Sequence, residues 1–236
     1  MSGRRSFFIN LMSLARYNMR IIFGGKFVYF ILAAFIFFLV FGTIMAFQTD
    51  IGIEDIYGIL AFPAILLVFY PTAYGIQNDA DQRTLEIIFG IPDYRFKVWL
   101  LRFIMVLFVA FVLLFPFAGI TYYTLLSFPV FKMVIQLMVL VFFTSTLGFA
   151  LSTIVKNGNA AAAILVVIGL IILILLDAIE DSKWNVFLNP FRTPGNINDI
   201  VWQETIRQNR IFMIIASMVF LLLGLLNLQN REKFLR

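Results

Sequence analysis

Long uncharged apolar runs separated by short polar breaks dominate the chain. The runs cover residues 27–47, 58–76, 103–128, 133–155, 160–176 and 211–228. Each reaches or approaches the roughly 20 residues that a helix needs to cross about 30 Å of hydrocarbon. The pattern predicts an all-α, polytopic membrane protein: a single transmembrane domain over residues 1–236 with six spans. The fifth run is the shortest, and the third is long enough to tilt. Pro63 and Pro71 in the second run and Pro116 in the third each remove a backbone hydrogen bond and predict kinks.

Two further segments carry patterns of their own. At about 100° per residue, Phe7, Phe8, Leu11, Leu14, Ala15, Met19 and Ile22 share one arc, and Arg5, Ser13, Arg16 and Arg20 gather roughly opposite it. This predicts an amphipathic interfacial helix over 5–23, its arginines toward headgroups or a docking partner, with Gly24–Gly25 as the bend into the first span. The stretch from Asp177 to Arg210 is too apolar for a free loop. Trp184, Phe187, Phe191 and Trp202, broken by Pro190 and Pro194, predict short re-entrant helices at the outer interface.

Composition agrees with a bilayer as solvent. Hydrophobic residues make up 62% of the chain and charged residues 13%, against about half and a quarter in a soluble domain. The first run is too long for a signal peptide and no small-residue cleavage site follows it, so it reads as a retained span. Of the 18 basic residues, thirteen fall in the N-terminal segment, around the 77–102 loop, at Lys156 and at the C-terminus. Only Lys132, Lys183, Arg192, Arg207 and Arg210 fall on the other side. The positive-inside rule then puts both termini in the cytoplasm. The net charge of +5 is dispersed, which argues against nucleic-acid binding.

Candidate chemistry is sparse. There is no Cys and no His, hence no thiolate site and no imidazole base or ligand. No phosphate-binding loop occurs, and no carboxylate falls within the six runs. The polar residues in the runs are mostly small hydroxyls suited to bonding their own helix or a neighbour. The chain reads as a non-enzyme without metal or cofactor of its own. A transporter built this way must draw its energy from a partner.

The break between the second and third runs reads Gln82-Arg83-Thr84-Leu85-Glu86-Ile87-Ile88-Phe89-Gly90-Ile91-Pro92-Asp93-Tyr94-Arg95-Phe96-Lys97. It resembles the loop between spans two and three in permease subunits of type-2 ATP-binding-cassette (ABC) exporters. That family's pattern has an acidic run, Gly-Thr-Leu-Glu, two or three apolar residues, a small residue, Pro, and a basic residue about three further on. Thr84-Leu85-Glu86 and Pro92 with Arg95 match, and Arg83 stands in place of the usual glycine. The layout also resembles the family: an N-terminal amphipathic helix, six spans, a tight turn at Lys156–Asn159, and Asn189-Pro190-Phe191 in the long segment after span five.

The resemblance implies a coupling helix over 82–92, with Arg83, Thr84, Leu85, Glu86, Pro92 and Arg95 transmitting motion from an ATPase. In a short surface helix, Leu85, Ile88 and Phe89 share one face, suited to a groove on that ATPase, and Arg83 and Glu86 another; Pro92 ends it. It further implies separate ATP-binding-cassette subunits that hold ATP and Mg, a second permease of the same or a related chain, and a home in the inner membrane. The uncharged spans favour a lipid-like or amphipathic cargo. The alternative is an ion-coupled carrier or channel-like protein without an ATPase.

Overall fold

The computed structural model of the protein describes residues 27–48, 50–81, 83–91, 93–192, 194–195 and 197–229, which form an all-helical bundle. The expected interfacial helix over 5–23, with Arg5, Arg16 and Arg20, lies outside the described residues, as does Pro92.

Helix α1 (Phe27–Ala46) buries a narrow stripe, Phe27, Ala34 and Phe38, and exposes most of its remaining apolar surface. A helix apolar all round has no polar face to offer water, which fits a lipid-facing position. Its buried side meets α2 (Ile53–Ala73) through aromatic pairs, among them Phe30–Tyr70 at 5.0 Å between ring centres. The Gly52 N–H donates to the Asp55 carboxylate (2.9 Å) at the start of α2. Beyond a bend at Tyr74, three residues after Pro71, the chain continues as α3 (Gly75–Asp81). A six-residue helix, α4 (Leu85–Gly90), follows. A π-helical stretch, Arg95–Leu100, then leads into α5 (Leu101–Thr124).

Helix α6 (Val130–Val155) is the centre of the bundle and packs against α2, α5, α7 and α9. Close approach explains its small residues. A Cβ on Gly148 would stand 2.8 Å from the Thr72 hydroxyl of α2. Lys156 ends α6 in a left-handed conformation (φ 61°), and the Asn157 side chain caps α7 (Gly158–Ile174) by accepting from the Ala160 N–H at 3.0 Å. A four-residue helix, α8 (Leu176–Ile179), and a run of turns lead to α9 (Asp199–Asn227), capped by Asn198.

Among the described residues, five helical stretches are long and apolar enough to cross a membrane: Phe27–Ala46, Ile53–Asp81, Arg95–Thr124, Val130–Val155 and Asp199–Asn227. The fifth apolar run of the sequence forms α7, whose 17 residues span only about 25 Å. In the segment expected to hold several short helices, the described residues before 199 form one short helix, α8. Residues 199–210 are instead the first three turns of α9, because Asn198 caps that helix well before its uncharged run begins.

Candidate functional site

The bundle has two ends, about 30 Å apart along α2, and each carries a buried arginine. Asp79 and Arg102 meet at one end, where α3, α4 and the start of α5 come together. Arg210 lies at the other.

At the Asp79 end the turn between α3 and α4 is built by backbone hydrogen bonds. The Thr84 N–H donates to the Asp79 carbonyl (2.9 Å) and the Arg83 N–H to the Ala80 carbonyl (3.0 Å), with Arg83 left-handed at φ 54°. This is the bonding of a Schellman helix end, whose left-handed position is usually glycine. Arg83 therefore occupies a backbone slot that glycine usually fills. The Thr84 hydroxyl also donates to the Asp79 carbonyl (3.1 Å). On the far side of α4, Asp93 is left-handed too (φ 58°). The short helix thus lies between two sharp turns, and no regular helix could run through it.

Helix α4 presents one face to the bundle. Leu85, Ile88 and Phe89 are buried in a cluster with Ile76, Tyr94, Trp99, Phe149, Leu225 and Leu228. The expectation that Leu85 fills a groove on another protein is corrected here: its side chain is 5% exposed and anchors α4 to its own bundle. The outward residues are Arg83, Glu86 and Ile87, the last 71% exposed. Arg95 is half-buried, and its guanidinium donates to the Gln229 side chain (3.3 Å). Tyr94 donates its hydroxyl to the Leu228 carbonyl (2.6 Å), tying the same stretch to the end of α9.

Beneath α4 lies an ion pair that sequence reasoning did not single out. Asp79 is 1% exposed and accepts from the Arg102 guanidinium at 2.6 Å; Arg102 itself is 7% exposed and lies 5.0 Å over the Trp99 ring. The signal available was helical spacing: Ile76 and Asp79 stand three apart, on one face of a helix continuing from α2. A buried ion pair of this kind is strongly destabilising to break from one side, since it leaves an uncompensated charge.

At the other end, Arg210 is 9% exposed and has no carboxylate among its hydrogen-bond or ion-pair partners within the described residues. It donates instead to the Gln136 side chain (2.9 Å), the Asn209 side-chain oxygen (3.1 Å) and the Leu188 carbonyl (3.2 Å). Asn209 holds the 183–185 turn through the Lys183 and Asn185 carbonyls, both at 2.8 Å. Asn189 donates to the Glu54 carbonyl (2.8 Å) and accepts from the Phe191 N–H (3.0 Å). Half-buried Pro190 and Phe191 follow, the latter's ring near Tyr57. Asn189, Pro190 and Phe191 therefore fasten the 180–198 segment to the start of α2, far from Arg83, Thr84, Leu85, Glu86 and Arg95.

Between the ends, α2, α6 and α7 line a half-open apolar cavity of about 620 Å³. Gly158, Ala161 and Ala162 of α7 are buried, while Leu170, Leu173 and Ile174 further along are largely exposed. The helix is therefore packed at its start and uncovered toward its end. Cavity residues include Phe30 and Phe69 toward the Asp79 end, and Tyr57 and Asn189 toward the Arg210 end. No protein-family profile, curated protein or solved structure matches the chain.

Proposed function

We propose that this chain is the membrane-spanning permease subunit of an ABC exporter, using all six apolar helices, α7 included, as spans. Separate ATPase subunits dock on α4, a second permease of the same or a related chain completes the pathway, and both termini lie in the cytoplasm. The observation that carries this reading is α4 itself. It is a short helix bracketed by two left-handed residues and anchored by Leu85, Ile88 and Phe89. It offers Arg83, Glu86 and Ile87 outward.

An exposed isoleucine between charged neighbours, on a helix locked to the bundle core, suits a rigid contact that receives motion from a partner. Because α4 shares its core cluster with Trp99, Phe149 and Leu225, displacing it shifts the ends of α5, α6 and α9 together. The exposed apolar stripe along α7 and α1 suits lipid or a second permease. The ion-coupled alternative draws no support from Asp79, which is buried and already paired with Arg102 rather than open to exchange.

The test uses the full chain expressed in its own cells. Glu86→Lys and Ile87→Asp are expected to leave folding intact and to reduce recovery of an ATP-binding-cassette ATPase in the purified complex by roughly tenfold, as loss of a central contact does. Wild-type recovery with both variants removes the coupling assignment. Because the chain has no cysteine, single Asn157→Cys and Asn196→Cys variants report orientation with an impermeant thiol reagent. Labelling only at residue 196 in intact cells is the expected pattern.

A further inference from the structure

The half-open cavity between α2, α6 and α7 is walled almost entirely by apolar side chains, and among the described residues no charged one lines it. Its few polar groups are engaged elsewhere or out of reach. Asn189 donates to the Glu54 carbonyl (2.8 Å) and accepts from the Phe191 N–H (3.0 Å), Thr144 donates to the Leu140 carbonyl (2.9 Å), and the Tyr57 hydroxyl has essentially no accessible surface. An apolar space of this kind does not hold water, and left empty it forfeits contacts for the atoms that line it. The open side is marked by lining residues that are themselves exposed. Phe62 of α2 lies against Phe37 of α1, 4.2 Å between ring centres, while Val166, Leu170 and Leu173 stand on α7. The mouth therefore lies between α1 and α7, alongside the middle of α2 and α6, two helices long and apolar enough to cross a membrane. In a bilayer it opens sideways into hydrocarbon.

We infer that this cavity takes one acyl chain of a bilayer lipid, admitted sideways between α1 and α7, with the headgroup left outside the protein. Dimensions decide between occupants. Along α2 the cavity runs from Tyr57 to Phe69, about 18 Å, so a volume of about 620 Å³ gives a mean cross-section of about 34 Å². A helix of a second copy, about 10 Å across, fills more than twice that area. A polymethylene chain, with contact distances of about 4 Å between carbons, needs about 20 Å² and enters without parting the helices. At about 1.25 Å per methylene, from C–C bonds of about 1.52 Å at near-tetrahedral angles, the cavity holds about 14 carbons end to end. That is close to what one leaflet of a hydrocarbon core about 30 Å thick contains. With no charge on the walls, the site reads the tail and ignores the head. Occupancy requires only that these helices cross a bilayer; naming the lipid a cargo rests on the transport reading.

The experiment places the purified full chain in liposomes with a trace of phosphatidylcholine or phosphatidylglycerol carrying a photoactivatable diazirine on one acyl chain. Mass spectrometry then maps the labelled residues. Ile104 and Phe108, exposed on α5, report general contact with lipid, and Phe143 and Leu147 of α6 report the cavity floor. Both probes should label the floor as well as the α5 control, and to the same extent. Gly58 of α2 and Gly169 of α7 line the cavity with open space at their Cβ positions. Gly58→Phe and Gly169→Phe should each lose labelling of the floor and keep that of α5, which also shows that the variants remain folded. A floor left unlabelled in the wild type, whether empty or covered by a second copy, overturns the inference. So does floor labelling that depends on the headgroup, or a folded blocking variant that labels like the wild type. The liposomes contain no ATPase, so failure here leaves the coupling assignment of α4 standing, and loss of that assignment leaves this result standing.

Discussion

Arg102 and Arg210 are both buried, at opposite ends of one bundle, and they are treated in opposite ways. Arg102 meets a carboxylate at 2.6 Å, lies over Trp99, and sits within a packed aromatic cluster under α4. Arg210 meets only neutral partners, the Gln136 and Asn209 side-chain oxygens, the Leu188 carbonyl and the Met213 sulfur. A cation neutralised from within holds structure together and has no charge left for a ligand. A cation surrounded by dipoles keeps most of its field and can respond to an arriving anion. One end is held by an ion pair within the chain, the other by dipoles alone.

The contrast is broken most directly at Asp79. Asp79→Ala strands the Arg102 charge and should destabilise the protein by about 3–5 kcal/mol, whereas Asp79→Leu combined with Arg102→Met should recover most of that loss. Thermal unfolding in detergent of the single and double variants checks this; a single variant as stable as wild type would mean that the pair bears no load.

Arg210→Met removes a charge that has no carboxylate partner, leaving only neutral acceptors unsatisfied. The expected cost is smaller, about 1–3 kcal/mol. Losses of equal size at Asp79 and Arg210 in the same unfolding assay would erase the distinction between the two ends.

Packing offers a sharper version. A Cβ on Gly224 would stand 2.6 Å from the Phe149 ring, beneath α4, while one on Gly169 would meet nothing within 4 Å. Gly224→Ala should cost about 1–3 kcal/mol through overpacking. Gly169→Ala should instead raise stability by up to about 1 kcal/mol, since alanine is the better helix former. A rise in unfolding temperature for one and a fall for the other is the expected result.

The smallest effect belongs to the turn before α4. Arg83 holds φ 54° without the freedom of glycine. Arg83→Gly should therefore stabilise the turn by about 0.5–1 kcal/mol, detectable as a shift of a few degrees at most. A clear loss would show that the Arg83 side chain contributes more than its backbone slot does.

Helix periodicity and breakers are local, and for that reason the chain's helical, membrane-spanning character was legible without coordinates. Uncharged runs near 20 residues, the tight turn at Lys156–Asn159 and a short helix within 82–92 follow from neighbours a few positions apart. Even so, the start of α9 was misplaced by twelve residues. Glu204, Arg207 and Arg210 fall outside the uncharged run, although a helix tolerates them well once Asn198 has capped it.

Tertiary structure alone decided which face of α4 is hidden. Leu85 is equally suited to a partner's groove and to its own bundle, and the choice was made by Phe149, Leu225 and Leu228, far along the chain. The same holds for the two arginines. Side chain and charge are written in the sequence, but the partner of Arg102 lies 23 residues away and the Gln136 acceptor of Arg210 lies 74 away. The cavity beside Tyr57 exists because α7 packs closely only at its start. Burial and charge compensation are properties of what surrounds a residue, and only the folded bundle brings those surroundings together.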